Sequence, residues 1–182
     1  MDPGKPLTPR TRRLFLALWP DDGIRGQVAA HVSQWLWPPG CAPCAPADWH
    51  ATLHFIGDVA AERVEGIADG AAVAFQPFEL VLDQPVLWSH GLAVLLASEV
   101  PMALRALHER LGDRLRGLGL PVDTRPYVPH VTLARRAGAA IPPRVVLPVR
   151  WPARGFALVV STGLQAPRYR VIRHYGRGYH PA

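Results

Sequence analysis

The chain has 182 residues, of which 49% are hydrophobic, and a net charge of +6, which fits one compact domain with a sizeable core. No run reaches the roughly 18–20 apolar residues of a membrane-spanning helix, and the polar N-terminus lacks the apolar segment of a secretory signal. These features argue against a helical membrane protein, and we expect a cytoplasmic protein that binds no membrane.

Residues 1–12 are expected to form a disordered leader, and residues 13–182 a single domain. The apolar run over residues 13–19 ends at a proline and predicts a buried strand. Asp21 or Asp22 can then cap a helix whose apolar side chains recur at helical spacing. A proline-rich loop is predicted to end that helix.

Two cysteines, Cys41 and Cys44, lie in this loop. A Cys-x-x-Cys pair can be a redox centre or half of a zinc site, but the sequence contains no second cysteine pair that would complete a zinc site. A thioredoxin-like centre would begin a helix after a strand, whereas this pair lies among prolines. We interpret both residues as ordinary loop thiols.

Residues 49–56 alternate between apolar and polar side chains, which is typical of a strand with one face in the core. The alternation places His50, Thr52 and His54 on the polar face, with His54 at the edge of any cleft that this face lines. The apolar face is predicted to hold Trp49, Ala51, Leu53 and Phe55.

The remaining elements mix helices with frequent hairpins. We predict a helix over residues 61–75, three short strands over 77–97, an amphipathic helix from Pro101, and strands over 129–135, 156–161 and 168–175, with a proline-rich connection between 135 and 156. This order favours an α+β fold with largely antiparallel sheets.

A short motif occurs twice in the sequence. Residues 49–54 and 129–134 share His-x-Thr-Leu, with the two histidines 80 residues apart, and each copy lies in a predicted strand. A duplicated strand predicts a bilobal molecule whose two lobes are related by a pseudo-twofold axis, with a central cleft between them.

Side chains at positions i and i+2 of a strand share a face, so each motif presents an imidazole beside a hydroxyl. Two facing pairs, His50 with Thr52 and His130 with Thr132, suit the cleavage of a phosphodiester. One imidazole accepts a proton from the attacking oxygen while the other donates one to the leaving oxygen. The hydroxyls donate hydrogen bonds to the phosphoryl oxygens. The symmetry of the motifs leaves open which histidine is the acid.

Arg135 directly follows the second motif and would add positive charge beside a phosphate. Strict alternation turns it away from His130, so it reaches the cleft only if the strand bends or ends there. The last third of the chain favours an anionic partner, since residues 121–182 hold ten arginines and one acid, a net charge of +9. A solvated basic surface would have the same composition.

A metal site built on His50, His54 and His130 is disfavoured. Positions i and i+4 of a strand lie about 13 Å apart, which is too far for two ligands of one ion. We therefore expect no metal and no other cofactor.

These motifs resemble those of the 2H phosphoesterase superfamily, and more closely those of the bacterial RNA 2′,3′-cyclic phosphodiesterases, also called 2′-5′ RNA ligases. Residues 13–20 resemble the first strand of that family, residues 49–59 and 125–135 its two histidine motifs, and Arg168 with Tyr169 a dipeptide near its C-terminus. The resemblance covers nearly the whole chain after residue 12.

The resemblance implies a bilobal α+β fold with a central groove and a metal-independent reaction. The implied reaction hydrolyses an RNA 2′,3′-cyclic phosphate end to a 2′-phosphomonoester, and its reverse would join tRNA-half-like ends through a 2′-5′ bond. The resemblance also implies that His50 is the proton donor and His130 the acceptor, while Thr52, Thr132 and Arg135 hold the phosphate. We expect the protein to act on RNA ends as a monomer.

Two other functions fit the same residues. One is a phosphodiesterase for a small cyclic nucleotide, and the other is a module that binds RNA ends without catalysis. Tyr127 and Phe15 are the candidates for stacking on a nucleotide base.

Overall fold

The computed structural model describes residues 11–165 and 167–176. Its strands are β1 (Thr11–Leu18), β2 (Ala42–Pro43), β3 (Ala51–Ala60), β4 (Phe78–Leu82), β5 (Gln84–Trp88), β6 (Leu92–Leu96), β7 (His130–Arg135), β8 (Val149–Ala153), β9 (Gly155–Ser161) and β10 (Tyr169–Gly176). The helices are α1 (Asp22–Val32), α2 (Val64–Gly70) and α3 (Met102–Gly117), with short 3-10 turns at Pro46–Asp48 and Ala61–Arg63. Within the described residues, no helix is long and apolar enough to cross a membrane.

The first strand begins earlier than the sequence predicted. Strand β1 starts at Thr11, inside the segment expected to be a leader, and Arg13 in the same strand pairs with Asp58 across the sheet. Residues 1–10 of the expected leader lie outside the described residues.

An eight-stranded antiparallel sheet forms the centre of the molecule. Its order is β10-β9-β1-β3-β7-β6-β5, and β2 pairs with β7 beside that path. Strands β4 and β8 form a separate two-stranded sheet. The predicted α+β fold with antiparallel sheets is confirmed. The two motif strands, β3 and β7, are neighbours in the middle part of the sheet, with β10, β9 and β1 on one side of the pair and β6 and β5 on the other.

Part of the predicted proline-rich connection is a strand. Residues of β8 alternate between buried and exposed, and Pro152 pairs with Glu79 of β4. A proline has no N–H to contribute to a ladder, and it is therefore tolerated at an edge strand such as this one. The sequence did not predict this strand, because its prolines are typical of a loop.

Helices α1 and α3 begin where the sequence predicts, whereas the helix predicted over residues 61–75 is shorter and spans Val64–Gly70. The side chain of Asp21 accepts a hydrogen bond from the backbone N–H of Ile24 at 2.9 Å, which caps α1. Helix α3 begins directly after Pro101 and packs against β3. It buries one stripe of leucines, namely Leu104, Leu107, Leu111 and Leu115.

Strand β3 departs from strict alternation. In its pairing with β1, Ala17 lies opposite Thr52 and Leu16 opposite His54, which leaves one residue of β3 unpaired between them. This is a β-bulge, and it reverses the faces of the residues that follow. His54 is 3% exposed and Phe55 is 58% exposed, so the predicted faces of these two side chains were wrong.

Because of the bulge, the side chain of His54 faces helix α3 and contacts it. Its Nε2–H donates to the backbone carbonyl of His108 at 2.8 Å, and the two imidazole rings stack with centroids 4.0 Å apart. The ring of Tyr127 stacks on the other side of His108 at 4.1 Å. His54 is therefore a packing residue between β3 and helix α3, and it also lines the space beside His130.

This histidine pair makes the fold sensitive to mild acid. Burial lowers the pKa of His54 and lowers the pKa of His108 to about 4. Unfolded histidines bind a proton near pH 6.5, so stability is complete above that pH and falls as the pH drops toward 4. We expect the urea midpoint of unfolding to decrease between pH 7 and pH 5.

The variant His54→Phe tests whether this histidine pair causes the decrease of the urea midpoint with pH. Phenylalanine keeps an aromatic ring at this position but removes one titrating group. Its midpoint should change less between pH 7 and pH 5 than the midpoint of the wild type. The interval from pH 7.5 to 8.5 is the control, since the rings are neutral there in both the folded and the unfolded chain. If the midpoint of the variant decreased between pH 7 and pH 5 by as much as that of the wild type, this explanation would be contradicted.

Candidate active site

The two motifs meet at one pair of small apolar residues. Ala51 of β3 pairs with Val131 of β7 in antiparallel register, and both side chains are completely buried. Neighbours on an antiparallel pair run in opposite directions, so His50 lies beside Thr132 and Thr52 beside His130. Both motifs thus present their polar side chains on the same face of the sheet.

A cleft of about 420 Å³ opens on this face. Its lining includes four of the five predicted site residues, His50, Thr52, Thr132 and Arg135. The fifth, His130, lines an adjacent cavity of about 440 Å³. Thr52 and Phe55 line both spaces, so they form the wall that the cleft and the cavity share.

Both imidazoles are held in the same way. The Nδ1–H of His50 donates to the carbonyl of Asp48 at 2.7 Å, and the Nδ1–H of His130 donates to the carbonyl of Val128 at 2.8 Å. A carbonyl only accepts, so in each ring the proton of the neutral form is on Nδ1. The Nε2 atom of each ring is therefore the one that can accept a proton from a substrate or return it.

Aromatic rings fix the orientation of His50. Phe15 lies against it with a centroid distance of 4.8 Å, Trp19 stacks on it at 5.8 Å, and Tyr169 meets it edge-on at 5.1 Å. His130 has one such neighbour among the described residues, Trp88, at 4.5 Å. Phe15 lines the cleft but is only 4% exposed, so its main contact is with the imidazole of His50.

Burial makes both motif histidines weak bases. It lowers the pKa of His50 to about 4, with smaller contributions from the positive charges of His130, Arg25 and Arg135, while the bond to Asp48 acts in the opposite direction. The pKa of His130 is lowered for the same principal reason, burial. Both rings are neutral near pH 7 in the protein alone. A bound anion between them would favour their protonated forms.

A second bulge brings Arg135 to the cleft. In the pairing of β7 with β6, Thr132 lies opposite Val94 and Ala134 opposite Ala93, which leaves Leu133 unpaired. Leu133 and Ala134 are both fully buried, and Arg135 then points to the side of Thr132. The bulge thus provides the bend without which Arg135 would face away from the cleft. It directly follows the threonine of the second motif, as the bulge in β3 directly follows the threonine of the first.

Several cleft residues were not predicted as site residues from the motifs. Arg168 adds positive charge to that of Arg135, and Arg13 lies in the lining as an ion pair with Asp58. Ser161 and Tyr169 lie across the cleft from the motif strands. Asp48 connects this wall to the first motif. Its buried carboxylate accepts a hydrogen bond from the backbone N–H of Arg168 at 3.2 Å, and its carbonyl holds His50. Of these residues, the sequence indicated only Arg168 and Tyr169, through their resemblance to a dipeptide of the family.

Three further placements refine the expectations from the sequence. Cys41 and Cys44 are free thiols, and Cys44 lies in the wall of the cleft. Tyr127, a candidate for base stacking, lines the adjacent cavity. In the described part of the chain, no group of three or more His, Cys, Asp or Glu side chains is arranged to hold a metal ion.

Comparisons with known proteins identify the family of this chain. The family model described as the 2′-5′ RNA ligase superfamily matches residues 37–163, which include both motifs. This chain belongs to that superfamily. The resemblance inferred from the two His-x-Thr motifs is thereby confirmed.

Curated relatives and solved structures extend the match. The RNA 2′,3′-cyclic phosphodiesterase of Escherichia coli is 33% identical over 71% of this chain and 75% of its own length. That of Thermus thermophilus is 30% identical over 92% of both chains. The crystal structure of E. coli LigT complexed with NADP+ has a TM-score of 0.78 and 26% identity, and covers 92% of this chain and 98% of its own.

The cleft should bind an isolated phosphate ion through Arg135. Hydrogen bonds to charged groups contribute about 1.5–3 kcal/mol, so Arg135→Ala should weaken phosphate binding about tenfold or more, measured by calorimetric titration at low ionic strength. Arg144→Ala is the matched control, since Arg144 is exposed and lines neither space. Equal losses in the two variants would show that net charge, and not the cleft, holds the ion.

Proposed function

We propose that this protein hydrolyses RNA 2′,3′-cyclic phosphate ends to 2′-phosphomonoesters by acid-base catalysis with His50 and His130. At the level of class it is a phosphoric diester hydrolase, the class to which its curated relatives belong. The observation that carries the proposal is the pair of imidazoles, each held at Nδ1 by a carbonyl two residues earlier in the chain. Each ring therefore presents one titrating nitrogen to the face where the two spaces meet.

The reaction follows from these positions. His130 Nε2 accepts a proton from water as the water oxygen attacks phosphorus, and the bond from phosphorus to O3′ breaks. His50, protonated at Nε2, donates its proton to O3′. Thr52, Thr132 and Arg135 donate hydrogen bonds to the non-bridging oxygens, where negative charge resides in the transition state. The product carries a phosphate on O2′.

The assignment of His50 as the acid rests on the family resemblance, and the charges around it are compatible with that role. His50 and Arg135 line the same cleft, where the phosphate would lie. A bound phosphodiester supplies the negative charge that raises the pKa of His50 from about 4. His50 would then gain its proton together with the substrate.

The arginines of the cleft favour RNA over a small cyclic nucleotide. Arg135 and Arg168 lie along it together with Arg13, which is paired with Asp58. Two further guanidinium groups are more positive charge than one cyclic phosphate, a monoanion, requires. We extend the proposal to tRNA-half-like ends, to a monomeric cytoplasmic enzyme, and to the joining of such ends through a 2′-5′ bond, in which a 5′-hydroxyl attacks phosphorus in place of water and O3′ leaves with a proton.

An oligonucleotide with a 2′,3′-cyclic phosphate end tests the proposal. We expect conversion to a 2′-monophosphate, assigned by its resistance to a 3′-specific phosphatase, with full turnover in EDTA. His50→Ala and His130→Ala should each lower turnover by about two to four decades, the usual contribution of general acid-base catalysis.

The matched control is His90→Ala, since His90 lies in an exposed turn outside both spaces. Formation of a 3′-monophosphate would overturn the assignment of His50 to O3′. Loss of activity in EDTA that zinc restores would overturn the metal-independent reaction. Tight, salt-sensitive binding of the oligonucleotide without any product would favour the non-catalytic module.

The pH dependence of kcat/KM should report the lowered histidine pKa values. Since kcat/KM reports the ionisation of the free protein, and burial lowers the pKa of both rings there, the optimum of kcat/KM is expected below pH 6.5. It should fall about tenfold per pH unit well above the optimum, where the acid is deprotonated. The optimum of kcat should lie at higher pH because bound phosphate stabilises the protonated acid. An optimum of kcat/KM above pH 8 would contradict the role of buried imidazoles.

A further inference from the structure

A guanidinium group outside the cleft reaches His50 through one aromatic ring. Arg25 lies in helix α1 and is not among the described residues that line the cleft or the adjacent cavity. Its guanidinium carbon lies over the ring of Trp19, 5.5 Å from the centroid. The same ring stacks on the imidazole of His50, with centroids 5.8 Å apart and planes inclined by 16°. One indole therefore contacts both the guanidinium and the imidazole.

Arg25 also reaches His50 through the backbone. Its Nη1 donates to the carbonyl of Pro46, the first residue of the 3-10 turn that ends at Asp48. The carbonyl of Asp48 accepts the Nδ1–H of His50 at 2.7 Å. Arg25 is thus bonded to the turn that supplies the hydrogen-bond acceptor of the imidazole.

Arginine suits both contacts at once. Its guanidinium is planar, so the face can lie on an indole while the N–H groups at the edge donate to a carbonyl. Together the two contacts fix the position of a positive charge close to His50. A lysine would supply the charge and a donor, but it would not present a flat face to the indole.

The charge of Arg25 acts on His50 together with those of other elements. Burial is the principal cause of the low pKa of His50, and among the neighbouring positive charges His130 contributes most, followed by Arg25 and then Arg135. Arg135 lines the cleft, where a phosphate would meet it, whereas Arg25 does not. The other charged or titratable groups around His50 are those of the cleft wall, namely Cys44, Asp48, Arg168, Tyr169 and the ion pair of Arg13 with Asp58.

We propose that Arg25 is a positioning residue for His50, which holds the indole and the acceptor turn around the imidazole and whose positive charge keeps that imidazole neutral in the protein alone. The inference rests on the proposed function, because it concerns the residue proposed as the acid. Arg25 acts through Trp19 and the turn at residues 46–48, and it does not contact the substrate.

A series of charges at position 25 tests the electrostatic part. The protonated fraction of His50 is measured at pH 5 by NMR of the histidine rings, assigned with His50→Ala and His130→Ala. Two unit charges roughly 10 Å apart in water change a pKa by about 0.3, so Arg25→Gln should raise this fraction about twofold or more. Arg25→Glu should raise it about twofold further, and Arg25→Lys should leave it close to that of the wild type.

The comparison of Arg25→Gln with Arg25→Glu separates charge from packing. The two side chains have the same size and both lose the contacts of arginine, so a difference between them reports charge. Arg144→Gln is the matched control, because it removes the same charge at an exposed position that lines neither space. Equal protonated fractions in the Gln and Glu variants, or an equal rise in Arg144→Gln, would overturn the electrostatic role.

The tautomer of His50 at pH 7 tests the positioning part. Ring nitrogen shifts give the ratio of the Nδ1–H to the Nε2–H form, and the bond to Asp48 favours the first. Arg25→Gln is too short to support the turn as arginine does and should lower this ratio about threefold or more, the effect of a weakened hydrogen bond. Arg25→Lys, which still donates to Pro46, should restore it. An unchanged ratio in Arg25→Gln would overturn the positioning role.

These measurements use the protein alone and need no turnover. Failure of the wild type to hydrolyse a cyclic-phosphate end would overturn the proposed function, and the ring titration would still decide whether Arg25 controls His50. Conversely, a wild type that hydrolyses this end while both ring measurements are unaffected by the Arg25 variants would overturn the role of Arg25 and leave the proposed function intact.

Discussion

The antiparallel contact between Ala51 and Val131, and the bulge that follows each motif threonine, position every other part of the site. The contact fixes the register in which each histidine meets the threonine of the other motif. Each bulge inserts one residue and reverses the face of the next side chain, which delivers Phe55 and Arg135 to the polar side of the sheet. A one-residue slip in either strand would move the imidazoles into the core.

The backbone frame is symmetric, and the side chains it carries are not. At equivalent positions after the two bulges the chain has an aromatic ring, Phe55, and a guanidinium, Arg135. At the preceding equivalent positions it has His54, which bonds to helix α3, and the small Ala134. One histidine therefore shares its space with arginines, and the other shares its space with uncharged aromatic rings and the ion pair of Asp123 with Arg125.

The sequence predicted the elements well because hydrophobic periodicity reports directly on which face is buried. It located both motif strands, the cap of α1 at Asp21 and the leucine stripe of α3. It misplaced His54 and Phe55 because a bulge depends on the partner strand. The segment Leu53-His54-Phe55 alternates in the same way with or without the extra residue, and only its pairing with β1 shows the difference. In the far wall of the cleft, the family resemblance indicated Arg168 and Tyr169, whereas Ser161 is distant in sequence from both motifs and carries no motif of its own.

The choice of a carbonyl to hold each imidazole has a consequence for the proposed reaction. A carboxylate at Nδ1 would orient the ring equally well, but its full negative charge would raise the pKa of the imidazole. A carbonyl contributes only a dipole, so burial prevails and the pKa of His50 stays near 4 in the protein alone. Asp48 illustrates the distinction, since its carbonyl holds His50 while its carboxylate accepts from the backbone of Arg168. The acid thus becomes protonated when an anion lies in the cleft, which couples the proton required at O3′ to the presence of the phosphodiester that uses it.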